Sequence, residues 1–395
     1  MGRIRTKSKR TIPTVTNAPA STPLTATTQV PSIQSLLSKA QELIVQCDYD
    51  LARKFIQRVL VRDGDGAAGA SKTDRSQARE MLGVVLLELG EVDKARETFL
   101  ALFPPHPDAP SIPPPSAHLY LAQLSEEDPH GALNHYQAAV EILQVQLKGK
   151  EPARNADRSA DDDESEIRSN IVRAYAGMVE IWMDPTYDLC FDPSAEKTCE
   201  NLLELALQAD PGNPEALQTL ASVRMSQERP DDAKACIEQA WLKWKDLELD
   251  DPLMPPLPSR LATAKLFLEL SLFTPALLVL QGVLATDDQE VEAWYLEGWA
   301  FFLMAEQARE TGQSIEGLSW EELAKDSRDC LESCRNLHMS QEHPDSQLLE
   351  HAMELIGNLD KLGIQPSLPG EAEEEDEGWE DDSEDGDRDG DVEMA

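Results

Sequence analysis

The sequence predicts an all-α solenoid of paired helices, and three observations predict it. At four places a small residue is followed twelve positions later by an alanine, with apolar residues four and then three positions further on. These sets are Ala40/Ala52/Ile56/Val59, Gly83/Ala95/Phe99/Leu102, Ala221/Ala233/Ile237/Ala240 and Ala264/Ala276/Leu280/Val283. Helix punctuation falls between and around them: Ser32 as a cap, Gly90 in a turn, Pro230 and Pro275 near helix starts, and Asp210-Pro211 as a stop. Hydrophobic content is an ordinary 41%, yet no apolar run reaches the roughly 18 residues of a membrane span.

The twelve-residue gap lets one helix end, turn and return so that its small residue meets that of the first. Spacings of four and three put the later residues on one helical face. This is the register of the 34-residue tetratricopeptide repeat, and it predicts a right-handed superhelical solenoid of about seven helix pairs.

Residues 1–31 open with Arg3, Arg5, Lys7, Lys9 and Arg10, turn Ser/Thr/Pro-rich, and are expected to be disordered. The array is expected over 32–363. Its first pair covers 32–61 and its second 75–103, separated by the Asp63–Asp74 linker. The Pro-rich stretch from Pro104 to Pro115 is expected to be extended, because proline removes the helix donor. A third pair over 116–147 uses Ala122, Ala132 and Tyr136 at its crossing. Residues 148–165, ending in Asp161-Asp162-Asp163-Glu164, read as a disordered insertion. The fourth pair (166–209) carries Ala176-Gly177 and a lengthened turn at 184–193. The fifth (214–247) and sixth (258–286) are regular, and the seventh opens with Trp294 and Gly298. A last helix over 345–361 caps the array. Residues 364–395 form an acidic tail, with fifteen acidic residues against one arginine from Glu371 onward.

Composition narrows the function. The chain has 35 basic and 74 acidic residues, a net charge of −39. Such a field repels nucleic acid and anionic lipid and attracts basic proteins, so neither direct nucleic-acid binding nor a membrane partner is expected. The six cysteines form no CxxC pair and no metal-ligand spacing, which suits reduced thiols in the cytoplasm or nucleus. His130/His135 and His338/His343 are five apart, off the one-face spacing a metal needs, and Gly64-Asp65-Gly66 lacks a phosphate-loop lysine. No catalytic constellation, metal or cofactor is expected, and the chain reads as a binding protein. The cluster Lys7-Ser8-Lys9-Arg10 offers a nuclear import receptor a segment to bind, with a solvated basic tail as the plainer reading.

The first helix of each pair lines the inner face, at positions three before, one after and five after the crossing residue. These are Glu80, Val84 and Glu88 in the second pair, then Ala174, Met178 and Trp182 with nearby Glu180 in the fourth. The sixth presents Leu261, Lys265 and Glu269, and the seventh Tyr295, Trp299 and Leu303 behind Glu292. The candidate partner-binding residues are therefore Glu80, Glu88, Glu180, Trp182, Glu269, Glu292, Tyr295 and Trp299. Carboxylates and aromatics together suit a basic extended segment, whose cationic heads pair while its stems lie on the rings. The plainer reading makes Trp182 and Trp299 core and the glutamates a solvated face. A clamp for an acidic chaperone tail needs Lys and Asn where this chain has Leu37 and Gln41, Glu80 and Val84, Gln218 and Ser222. Trp379 within Glu377-Gly378-Trp379-Glu380-Asp381 adds an apolar anchor to the tail, which otherwise serves solubility or mimics nucleic acid.

The basic N-terminus, the segments Leu82–Gly90 and Ala293–Trp299, and the tail with Gly378-Trp379-Glu380-Asp381 resemble the fungal assembly chaperones of the fourth large-subunit ribosomal protein. The resemblance spans nearly the whole chain. It implies a dedicated chaperone that captures the new ribosomal protein, holds its basic internal loop in the concave face, and escorts it from cytoplasm to nuclear pre-ribosomes. The competing readings are a scaffold subunit of a larger complex and a histone-type chaperone of basic proteins.

Overall fold

Antiparallel α-helices of 9 to 26 residues make up the computed structural model, which describes residues 31–62, 69–150 and 158–367. The chain divides into two compact units, Met1–Ile112 and Pro113–Ala395. In the first, α1 (Ile33–Val45) pairs with α2 (Tyr49–Leu60), and α3 (Lys72–Glu88) with α4 (Val92–Leu100). In the second the pairs are α5 (Pro115–Gln123) with α6 (Pro129–Lys150), and α7 (Arg158–Met183) with α8 (Ala195–Ala209). They continue as α9 (Pro214–Ser226) with α10 (Pro230–Trp241), α11 (Leu257–Glu269) with α12 (Phe273–Thr286), and α13 (Val291–Thr311) with α14 (Trp320–Gln341). A final helix, α15 (Ser346–Lys361), packs on both α13 and α14. Among the described residues these are seven pairs and a cap, the fold class expected.

The crossing residues explain the pairing. Ala40, Ala52, Ala95, Ala221, Ala233, Ala264 and Ala276 are all fully buried. At Gly83 an added Cβ would lie 2.4 Å from the Phe99 ring, so α3 and α4 approach closely only because no side chain intervenes. Gly298 does the same against Leu331, whose Cγ lies 2.8 Å from the position of a Cβ.

The turns repeat as closely as the crossings. Seven residues after the small residue the backbone goes left-handed: Cys47 (φ 57°), Gly90 (73°), Glu228 (58°) and Ser271 (56°). The next amide closes each turn on a carbonyl five residues back: Asp48 on Leu43, Glu91 on Leu86, Arg229 on Arg224, Leu272 on Phe267. This is the Schellman closure, and glycine satisfies it without strain at one of the four sites. Caps fix the other ends. The Ser32 hydroxyl accepts from the Ser35 amide, Asp48 caps α2, and Ser71 and Asp74 form a capping box on α3.

Three boundaries differ from expectation. The stretch after Pro104 is turned, not extended: the His106 amide bonds to Phe103 and Ala109 to His106. Non-proline amides supply these turns, and Asp108 then pairs with Arg75 (3.0 Å) and Arg79 (2.6 Å) of α3. The insertion expected at 148–165 is helical at both edges, to Lys150 and from Arg158, leaving only 151–157 outside the described residues. Near the start of α7, Glu164 pairs with Arg168 one turn on at 2.6 Å, a contact that supports the helix there. The fold also runs past Gly363, because the Ser367 amide (2.8 Å) and hydroxyl (2.5 Å) donate to Asp329 of α14. Residues 1–30 and the tail from 368 lie outside the described residues, as do the expectations that fall on them.

Two substitutions check this account by equilibrium urea denaturation. Glu228→Gly removes a left-handed non-glycine residue and is expected to stabilise the chain by about 1 kcal/mol. Gly83→Val forces a side chain into the Phe99 ring and is expected to cost about 2 kcal/mol or more.

Candidate functional groove

First helices stack on first helices in the second unit: α7 packs on α9, α9 on α11, α11 on α13 and α13 on α15. Their register turns small and polar residues toward one shared face. A cavity of about 450 Å³ opens there across α7, α9 and α11, with Glu180, Asp184, Gln218, Ser222, Lys265 and Glu269 on its walls. Hydrogen bonds zip the helices beneath it. The Ser259 and Thr263 hydroxyls of α11 donate to the Gln218 side-chain carbonyl of α9, at 3.0 and 3.1 Å.

Carboxylates dominate this face. Glu180 is open to solvent, yet protein surrounds it from below, and that partial burial holds its pKa above the ordinary range. Burial raises Glu215 as well, opposed by Arg173 and reinforced by repulsion from Glu180, so the two carboxyls feel each other. Arg173 reaches Glu215 at 3.8 Å and Lys265 reaches Glu292 at 2.6 Å, which ties α7 to α9 and α11 to α13. Asp184 accepts from the Thr186 amide and hydroxyl at 2.8 and 2.7 Å, bonds that hold its pKa down. Glu180 and Glu269 have no ion-pair partner among the described residues. The face is built with more negative charge than it neutralises.

The structure gathers some of the expected residues and separates others. Glu180 and Glu269 share the cavity, and Glu292 continues the face one helix on. Trp182 does not join them. It lines a separate cavity of about 290 Å³ with Met183, Cys190, Cys199 and Val223, between α7, a 3-10 turn (Asp188–Phe191), α8 and α9. The reason is a change of phase: Gly177 faces Tyr136 of the preceding helix α6, whereas Gly83 faces its own partner helix. Counting five residues on from Gly177 therefore lands off the groove, and two residues from Glu180 is about 200° around a helix.

Tyr295 and Trp299 do stack, with centroids 6.0 Å apart, but both are half-buried against His351 of α15. The Tyr295 hydroxyl and His351 Nδ1 are 2.6 Å apart, and burial pushes the phenol up to about 12. These rings are joined to the capping helix and are not open stacking platforms. Glu80 and Glu88 belong to the first unit, the one half-buried and the other exposed. Glu88 lies beside Tyr49, whose phenol is raised to about 12 chiefly by its hydrogen bond with Cys47. Sequence reasoning passed over Glu215 and Asp184. Glu215 and Glu292 each stand six residues before their crossing residue, so carrying the positional rule one turn further back reaches both.

Comparison with known proteins places this geometry in a family. The tetratricopeptide repeat model matches residues 200–246, which run from α8 beyond α10. A protein of Emericella nidulans named probable assembly chaperone of rpl4 is 32% identical over 365 residues, covering 84% of this chain and 89% of that protein. The chain belongs to the family of assembly chaperones of rpl4. A Schizosaccharomyces pombe protein of the same name is 30% identical over 309 residues, covering 78% of this chain and 87% of its own. The solved structure of residues 1–338 of the assembly chaperone of RpL4, Acl4, superposes with a TM-score of 0.59 at 28% identity. It covers 71% of this chain and 100% of that one. In this member of the assembly-chaperone family, partial burial of Glu180 and Glu215 penalises their charged forms.

A raised carboxyl pKa costs stability at pH above the folded-state pKa, and the cost vanishes as pH falls below it. The double variant Glu180→Gln/Glu215→Gln is therefore expected to raise stability at pH 8 by roughly 0.5 kcal/mol after solvent screening. At pH 4 it is expected to change little, as thermal denaturation at both pH values will show.

Proposed function

We propose that this chain is a dedicated chaperone that binds a basic, extended segment of newly made rpl4 along the first-helix groove. It keeps that segment soluble and escorts the ribosomal protein to nuclear pre-ribosomes. Family membership supports the client, and the carboxylate excess around Glu180 is the observation that carries the mode of binding. The action is capture and release, with no bond made or broken, so no enzymatic role is assigned.

The physics follows from the groove. A body with net charge −39 steers a basic client to it and makes association fast and salt-sensitive. Once seated, Arg and Lys heads meet Glu180, Glu269 and the Glu215 carboxyl, and bidentate arginine contacts are the strongest available. Cations there reverse the cost of partial burial, pulling both raised carboxyls back toward ionisation. Binding thus releases protons and weakens as pH falls. Phosphates of ribosomal RNA present a denser negative charge than the groove and compete for the same basic segment, which gives a route to release. The same negative face disfavours direct nucleic-acid contact by the chaperone. For nuclear entry, the cluster Lys7-Ser8-Lys9-Arg10 is the segment proposed to meet an import receptor, giving a protein that works in both cytoplasm and nucleus.

Titration calorimetry with purified rpl4 tests the reading. Glu180→Lys/Glu269→Lys is expected to weaken binding at least tenfold and to reduce its salt dependence, while Trp182→Ala leaves affinity within about twofold. Heats measured in buffers of different ionisation enthalpy should show net proton release that grows as the pH is lowered from neutral. Undiminished binding by the charge-reversed variant, or equal affinity for histones, would favour a scaffold or a general chaperone of basic proteins.

A further inference from the structure

On the opposite side of α11 from the groove, Arg260 is only 4% exposed. Its Nη1 donates to the Gly282 carbonyl and the Thr286 hydroxyl, both at 3.2 Å, and its Nε has no hydrogen-bond partner. No described carboxylate lies within ion-pair distance, and burial alone lowers its pKa. A buried guanidinium without an anion is costly, and here it lines a cavity of about 300 Å³ walled by Trp241, Trp244, Met254 and Leu278. Lys245 and Asp246 also line this cavity and pair with each other at 3.7 Å, with Lys245 Nζ 5.5 Å from the Trp241 ring centroid, which leaves Arg260 as the lining charge with no opposite partner among the described residues.

Gly282 provides a second, independent sign that the space is kept open. It sits inside α12, where glycine costs about 1 kcal/mol relative to alanine. A Cβ there would meet nothing closer than Leu249 at 4.0 Å, so no packing constraint demands glycine. The cavity has the chemistry for a carboxylate borne next to a large apolar side chain, on a protein otherwise strongly negative.

We propose that this cavity is a docking site for the chain's own acidic tail, with Trp379 between the tryptophan and leucine walls and a flanking carboxylate, Glu380 or Asp381, on Arg260. The chain's exit point suits it. Ser367 is held on Asp329 of α14, α14 packs on α13 and α13 on α12. Two helix-to-helix spacings amount to on the order of 20 Å. The twelve residues from Ser367 to Trp379 span about 40 Å when extended. Tethering adds an effective concentration on the order of millimolar, which a separate acidic peptide lacks. Seated there, the tail's carboxylates are kept on the far side of α11 from the groove and do not compete with it for a basic client.

Fluorescence polarisation of a labelled peptide spanning residues 372–386, added to the full-length chain, tests the proposal. Wild-type protein is expected to bind it weakly, because its own tail fills the cavity, and Trp379→Ala to bind it at least tenfold more tightly. Arg260→Gln in the Trp379→Ala background should abolish that gain. Because this change also removes a buried hydrogen-bonding side chain, Gly282→Leu, which fills the cavity, serves as a second block, with circular dichroism confirming its fold. Equal binding by wild type and Trp379→Ala, no binding by Trp379→Ala, or binding that Gly282→Leu leaves intact would each overturn the proposal.

Discussion

Close approach of two helices at a small residue is the constraint on which the rest of this structure depends. Where Gly83 meets Phe99, or Gly298 meets Leu331, a single Cβ would collide, and the buried alanines of the other pairs play the same part. That contact sets the register of a pair, and in four of them a left-handed turn seven residues on closes it. First helices stack on first helices, so α7, α9, α11 and α13 lie side by side, and their outward residues become one surface even though α7 is turned in phase. The groove is a consequence of packing, and the binding role proposed for it comes second.

Charge is then placed on a surface that the packing has already made. Arg173 and Lys265 are spent on joining neighbouring helices, through Glu215 and Glu292. What remains is acidic, and partial burial makes part of it unfavourable while no client is bound. A face that is uncomfortable alone, and that the proposed basic segment would relieve, carries the stability cost expected of a functional site. The Arg260 cavity shows the same signature in the opposite sign, on the other side of the same helix.

Much of this was legible in the sequence, because local repetition encodes it. The four crossing sets, the Ser32 cap, the Gly90 turn and the order of the helices all follow from spacing along the chain. What escaped depended on partners distant in sequence. Asp108 folds the proline-rich stretch by reaching Arg75 and Arg79 of α3, and no local rule announces that. Trp182 was misplaced because Gly177 faces α6, a phase set by Tyr136 forty-one residues earlier. Tyr295 and Trp299 were read as open rings, but His351, from a helix expected only as a cap, closes over them. Left-handed Cys47, Glu228 and Ser271 were silent for a different reason: the turn geometry recurs, and only Gly90 advertises it.

Hydrogen–deuterium exchange of the full-length chain, with and without rpl4, addresses the central claim most directly. The account predicts added protection confined to the groove-facing first helices α7, α9, α11 and α13, with α8, α10 and α12 unchanged. Protection concentrated on those second helices instead, with the first helices unaffected, would contradict it.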